Sequence, residues 1–204
     1  MNNIELIKNW LGSGSINIFG MPMSGKDTVG KELARTLSAA FISSGAILRE
    51  AERKVYHRPL TSTGFLTPTG IFYQLVLPYF KKPELAGKPL VLSSIGRWDG
   101  EESLVMKSLR DAEHETKAVI ILNLPEAVAI SRRETALKLK DRGMREDDLD
   151  PKIFDRRIRE YRAKTIPVLN RYRRMALNLE INADQPREKV LTDVLSALSE
   201  LAKK

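Results

Sequence analysis

The sequence predicts a three-layer α/β sandwich, a parallel sheet of five strands between layers of helices. Three observations predict it. Short apolar stretches alternate along the chain with amphipathic ones of helical period, which favours parallel strands joined by helical crossovers. The most apolar run, AVIILNL at 118–124, is continuous rather than alternating, as expected of a strand covered on both faces. Finally, NIFGMPMSGKDTVGKELARTL at 17–37 passes from strand to amphipathic helix through a glycine-rich turn.

The elements follow in order. IELIKNWL at 4–11 has helical spacing and GSGS at 12–15 ends it, so residues 1–14 are expected to form a leading helix and turn, packed on the domain or appended to it. Ile16 to Phe19 is a short strand and Gly25 to Ser38 a helix. Phe41 and Ile42 suggest a second strand, followed by a helix through Ile47 to Val55. TSTGFLTPTGIFYQLVLPYF at 61–80 is a turn-rich approach to another helix, and KKPELAGKP stops it. LVLSSI at 90–95 reads as a strand, and GEESLVMKSLRDAEH at 100–114 as a helix. After the strand at 118–124 come helices near 126–140 and 151–175, a strand LEINAD at 179–184, and a last helix from Arg187. With no repeats, low-complexity tracts or long linkers, one domain over residues 1–204 is expected.

Composition narrows the function. Hydrophobic residues make up 42% and charged residues 29% of the chain, as in ordinary globular domains. The absence of cysteine excludes disulfides and thiolate metal sites. No apolar run approaches the ~20 residues of a membrane span, and no signal peptide is visible, so a cytoplasmic location without membrane contact is expected. The net charge of +8 implies an anionic partner. Arginines gather between Arg132 and Arg174. Nucleic acid is disfavoured as that partner, because neither a basic platform interleaved with aromatics nor a helical recognition module is present. His57 and His114 lack any partner pattern and read as surface residues. Trp98, Met21 and Met23 read as packing residues.

Gly20-Met-Pro-Met-Ser-Gly25-Lys26-Asp27-Thr28 sets a glycine, four residues and then glycine-lysine between a strand and a helix. This is the context of the phosphate-binding loop, or P-loop. Successive backbone N–H groups there surround phosphate oxygens, and the helix N-terminus adds partial positive charge. Gly20 and Gly25 permit the close approach, Lys26 reaches the β- and γ-phosphates, and a nearby hydroxyl faces the metal. Asp27 displaces that hydroxyl by one position, to Thr28.

The form G-x-P-x-x-G-K-x-T resembles the nucleoside monophosphate kinases, adenylate kinases in particular. Further pieces agree in order. Ser44-Gly45-Ala46-Ile47-Leu48-Arg49 is similar to T-G-D-x-L-R, and Gly64-Phe65-Leu66-Thr67-Pro68 to G-x-L-V-P. Ser93-Ser-Ile-Gly-Arg97 is similar to D-G-F-P-R, and Leu124-Pro125-Glu126 with Arg132 to V-P followed by a distant arginine. Arg145-Glu-Asp147-Asp148, Arg157-x-x-x-Tyr161 and Thr165-x-Pro167 resemble R-x-D-D, R-x-x-x-Y and T-x-P. The likeness runs from residue 16 to about 198.

This resemblance implies a P-loop kinase fold with a monophosphate-binding segment at about 44–80 and a short, metal-free lid at about 136–146. It also implies transfer of the γ-phosphoryl group of MgATP to a nucleoside monophosphate, with AMP the leading acceptor. Lys26, Arg97, Arg145 and Arg157 would act on the transferring group. Gly20, Pro22, Ser24, Gly25, Lys26, Asp27, Thr28 and Arg132 would hold ATP, with Thr28 facing Mg²⁺ indirectly. Ser44, Gly45, Arg49, Phe65, Thr67, Arg97 and Glu101 would hold the monophosphate. Such an enzyme would work as a monomer on small-molecule nucleotides. Asp147 and Asp148 fit two roles equally, as anchors for lid arginines or as helix-starting carboxylates.

The departures are specific. Ala46 and Ser93 stand where the family has aspartates that organise water around Mg²⁺, and Asp27 is a candidate to compensate. Met23 replaces the middle glycine of the loop. Glu101 stands where the family reads adenine with glutamine; a carboxylate accepts hydrogen bonds but cannot donate them. Glu101 is therefore either a base reader of altered preference or a first-turn helix acid. These departures leave open a nucleotide-binding protein of the same fold with another acceptor or with degenerate catalysis.

Overall fold

β1 (Ser15–Gly20) is buried along its whole length. Ile16 and Ile18 enter one hydrophobic cluster and Phe19 another, so the strand packs on both faces. A computed structural model describes residues 2–57, 63–139 and 149–204. In it β1 lies at the centre of a five-stranded sheet of order β2–β3–β1–β4–β5. The other strands are β2 (Ala40–Ser43), β3 (Leu90–Ser93), β4 (Thr116–Asn123) and β5 (Asn178–Asn182). Every pairing is parallel, with Ile16 opposite both Val91 and Ala118. In β4, Ala118, Ile120 and Leu122 join the first cluster while Val119 and Ile121 join the other side. That accounts for the unbroken apolar run.

Helices cover both faces. On the Ile16 side lie α1 (Asn3–Leu11), α2 (Lys26–Leu37) and the C-terminal helix, α9 (Arg187–Ala202). The opposite side is filled by α3 (Ser44–Ala51), α4 (Thr69–Val76), α5 (Glu101–Arg110) and α8 (Ile166–Arg174). α6 (Glu126–Leu139) follows β4, and α7 (Pro151–Glu160) precedes α8.

α1 begins with Asn2, whose side chain accepts the Ile4 N–H at 3.2 Å, and packs against α9. Ile7 and Leu11 are buried in the main core, so the leading helix is packed rather than appended. Ile7→Ala is expected to cost about 2–5 kcal/mol through lost contacts and a residual cavity. A chemical-denaturation midpoint checks it.

Several boundaries differ from the sequence reading, each for a local reason. α3 starts three residues early, because the Ser44 hydroxyl donates to the Ser94 carbonyl at 2.8 Å and draws the serine-glycine turn into the helix. A π-helical turn, Glu52–Tyr56, follows it. β3 stops at Ser93 rather than Ile95, since Ser94 turns to φ +54°. The Asn17 amide then takes both the Ile95 carbonyl (2.8 Å) and its N–H (3.3 Å).

The helix expected over 151–175 is divided by a second π-helical turn, Tyr161–Thr165. Pro167 cannot donate to the preceding turn, and the wider turn accommodates it. His114, expected at the surface, is buried; its Nδ1 lies 2.9 Å from the Ser13 carbonyl, and its own carbonyl accepts from Ser15 Oγ. Backbone partners of this kind leave no trace in a sequence pattern.

Candidate active site

β1 and β3 end side by side, and the crevice beyond their carboxyl ends is where ligands bind in open parallel sheets. A cleft of about 760 Å³ opens there, lined on the strand side by Gly20, Pro22, Lys26, Asp27 and Ser93.

The loop from Gly20 to Lys26 is built around two glycines. A Cβ on Gly20 would sit 2.4 Å from Ser24 Oγ, 3.0 Å from Ser24 Cβ and 3.1 Å from Leu122 Cβ, so the loop would have to shift to admit one. Gly25 adopts φ +81°, the left-handed conformation that leads into α2. Met23 also has φ +66°, so a methionine holds a conformation that favours glycine. Ser24 is buried and its hydroxyl lacks a partner among the described residues. Asp27, in the first turn of α2, accepts a hydrogen bond from Ser93 Oγ at 2.5 Å.

Four predicted cations meet in this cleft: Lys26 from α2, Arg49 from α3, Arg97 from the loop after β3, and Arg157 from α7. Arg49 lies over Gly45, where an added Cβ would come within 3.0 Å of Nη1. Burial, and next the charge of Arg157, pull the Arg97 pKa from 12.5 down to about 10; Glu101, Asp27 and Glu160 oppose the shift. A partly dehydrated guanidinium with a second one facing the same cavity is suited to an oligoanion.

Ser44, Gly45, Phe65 and Thr67 line the same cleft. Phe65 is half exposed, with the Arg156 guanidinium 4.4 Å from its ring centroid. The Thr67 carbonyl accepts the Trp98 indole N–H at 3.1 Å, and Lys164 Nζ stands 3.8 Å over that indole. Trp98 is thus more than a filler of space.

Glu101 is buried at the start of α5. Its Oε2 accepts the backbone N–H groups of Arg97 (2.8 Å) and Trp98 (3.0 Å), while Oε1 has no partner among the described residues. It lines a small pocket with Leu48, Thr67, Phe72 and Trp98. Glu101 thus stands in the first turn of α5, as one of its two sequence readings expected, with one oxygen turned to that pocket's wall.

A second cavity of about 970 Å³ adjoins the loop from its other side, lined by Met23, Ser24, Gly25, Arg132 and Gln185. Arg132 spans it, donating to the Met23 carbonyl at 3.3 Å and the Ala183 carbonyl at 2.7 Å. Thr28 lies in the first turn of α2 but lines neither cavity. Arg145, Asp147, Asp148 and most of the lid segment lie outside the described residues.

Sequence reasoning missed Glu160. Its Oε2 accepts the Leu66 N–H at 3.0 Å and Lys164 Nζ at 2.6 Å, tying α7 to the segment around Phe65. The i,i+4 spacing to Lys164 was its only sequence signal. Neighbouring Tyr161 also lines the cleft, and burial pushes its phenol up to about 12.

No protein-family model matches the chain. It is 31% identical over 186 residues to adenylate kinase 2 of Nostoc sp., covering 89% of this chain and 96% of that one. It is 27% identical over 218 aligned residues to an adenylate kinase of Kosmotoga olearia, covering 92% and 100%. Among solved structures, a gluconokinase from Sinorhizobium meliloti superposes with a TM-score of 0.61 at 18% identity, covering 93% of this chain and 94% of the other. That likeness concerns the fold alone.

Proposed function

The chain belongs to the nucleoside monophosphate kinase family, and on that premise we propose that it moves the γ-phosphoryl group of MgATP to the phosphate of AMP. One observation carries the reading: Lys26, Arg49, Arg97 and Arg157 converge on a single cleft at the mouth of the P-loop. Phosphoryl transfer asks little covalent work of a protein. It asks for alignment of two phosphate chains, neutralisation of their charge and exclusion of water. Arginine answers the first two demands, because its planar fork binds phosphate oxygens in pairs and keeps its charge.

In this reading ATP lies along the loop, with its base in the cavity spanned by Arg132 and its phosphates on the backbone N–H groups and Lys26. The monophosphate lies against Arg49 and Arg97, and Arg157 faces the group in transit. Hard oxygen donors at Asp27 and Ser93, both on the cleft wall, suit Mg²⁺, which leans mainly on substrate phosphates and its own waters. The ion, when bound, neutralises charge on the β- and γ-phosphates.

The acceptor base would sit over Glu101. Adenine offers its exocyclic amine to the unpartnered Oε1, and the matched relatives are named adenylate kinases. A coupled assay against AMP, GMP, CMP, UMP and dTMP tests this. AMP is expected to turn over best; a clear preference for another base overturns the acceptor, and turnover with none overturns the activity.

Glu101→Gln supplies a sharper check. The backbone N–H groups of Arg97 and Trp98 need an oxygen, so the new amide would turn its NH₂ toward the base. A donor would then face adenine's amine. The expected loss is about 10–100-fold in kcat/KM for AMP, the size of a buried donor left unpaired.

A further inference from the structure

We propose that Asp27 is the carboxylate through which this chain holds the Mg²⁺ of its nucleotide, acting on the ion's bound waters from the first turn of α2. The inference rests on the phosphoryl-transfer reading above.

The cleft that gathers Lys26, Arg49, Arg97 and Arg157 has two carboxylates among its lining, Asp27 and Glu160. Glu160 is engaged by the Leu66 N–H and by Lys164. Asp27, which has partners of its own, stands beside the loop itself, one residue after the lysine placed at the phosphates. An anion set among phosphates raises the energy of binding unless a cation lies between them. A divalent ion is the cation that nucleoside triphosphates bring.

The donor chemistry agrees. Mg²⁺ keeps several waters and uses one or two carboxylates with substrate phosphates rather than a cage of protein ligands. Among the described residues no group of three or more His, Asp or Glu could form such a cage. Ser93 has no charge to offer, but its hydroxyl donates to Asp27 Oδ1 at 2.5 Å and fixes that carboxylate at the end of β3. The acid thus reaches the strand end from the neighbouring helix. Outer-shell groups of this kind orient the waters of an ion and raise its affinity.

A rival role is that of a plain counter-charge for Arg97, whose pKa Asp27 helps to raise. Metal linkage separates the two. A non-hydrolysable ATP analogue is titrated by calorimetry into wild-type chain and Asp27→Asn, in chelator and in Mg²⁺. Mg²⁺ is then titrated into each analogue-loaded protein, with thermal unfolding recorded as a control on folding.

The expected result is tighter metal-free analogue binding by Asp27→Asn, together with Mg²⁺ affinity weakened about 10–100-fold. Asp27→Asn combined with Ser93→Asp, which returns a carboxylate within hydrogen-bond distance of the lost one, is expected to restore Mg²⁺ affinity. Unchanged Mg²⁺ affinity in Asp27→Asn overturns the proposal while leaving phosphoryl transfer intact. So does an equal loss of analogue binding with and without the ion. A wild-type chain that binds no nucleotide overturns both readings.

Discussion

Lys26→Ala is expected to reduce turnover about 10²–10³-fold, the usual consequence of removing one positioned charge from a developing transition state. Lys26 is the first residue of α2 and only partly buried, with the left-handed Gly25 before it and Asp27 after it. Helix α2 is held by Val29, Leu33, Ala34 and Leu37 in the main core, none of which the substitution touches. The variant should therefore unfold at nearly the wild-type denaturant concentration. Steady-state kinetics and a denaturation curve on the same preparation decide the matter. Loss of turnover together with loss of fold would assign Lys26 to the scaffold.

Arg97→Ala is expected to act on the acceptor rather than on ATP. Arg97 occupies the bend after β3, where Glu101 holds its backbone N–H and Asn17 fixes the preceding Ile95. Its guanidinium is the partly dehydrated one, and a phosphate gains most from a cation that water no longer screens. Truncating one partner of a buried charge pair costs about 2–5 kcal/mol, so acceptor KM should rise at least 30-fold by that ~2 kcal/mol floor. The KM for ATP should change far less.

Much of this architecture is legible in the chain because local and global signals agree. AVIILNL could only be a covered strand, and Gly20 and Gly25 mark a turn that their geometry requires: one position has no room for a Cβ, the other a left-handed φ. Arg49, Arg97 and Arg157 were legible by likeness to a family, not by periodicity, since each alone resembles a surface arginine. What escaped notice depends on distant backbone. Glu160 meets Leu66, His114 meets Ser13, and Arg132 bridges Met23 and Ala183, contacts that only the folded chain creates. Glu101 was half legible. Its helix-starting position was visible, but the two N–H groups that engage one of its oxygens belong to a bend that begins at Ser94, inside the stretch read as strand.

The wide turn at Tyr161–Thr165 has a consequence for how this stretch tolerates length change. It separates Arg157 and Glu160, which face the cleft, from Val168, Leu169 and Tyr172, which fill the space against Phe19 and Val119. Removing one residue of the wide turn would restore uniform winding with the two halves nearly in their present register, whereas one residue removed from the α-helical part on either side would rotate them against each other by about 100°. Either the arginine would leave its cleft or the tyrosine its niche. A single codon's deletion at exposed Ala163 would thus be absorbed, one at Arg162 would also break its ion pair with Glu126, and one within α7 or α8 would be felt at both ends.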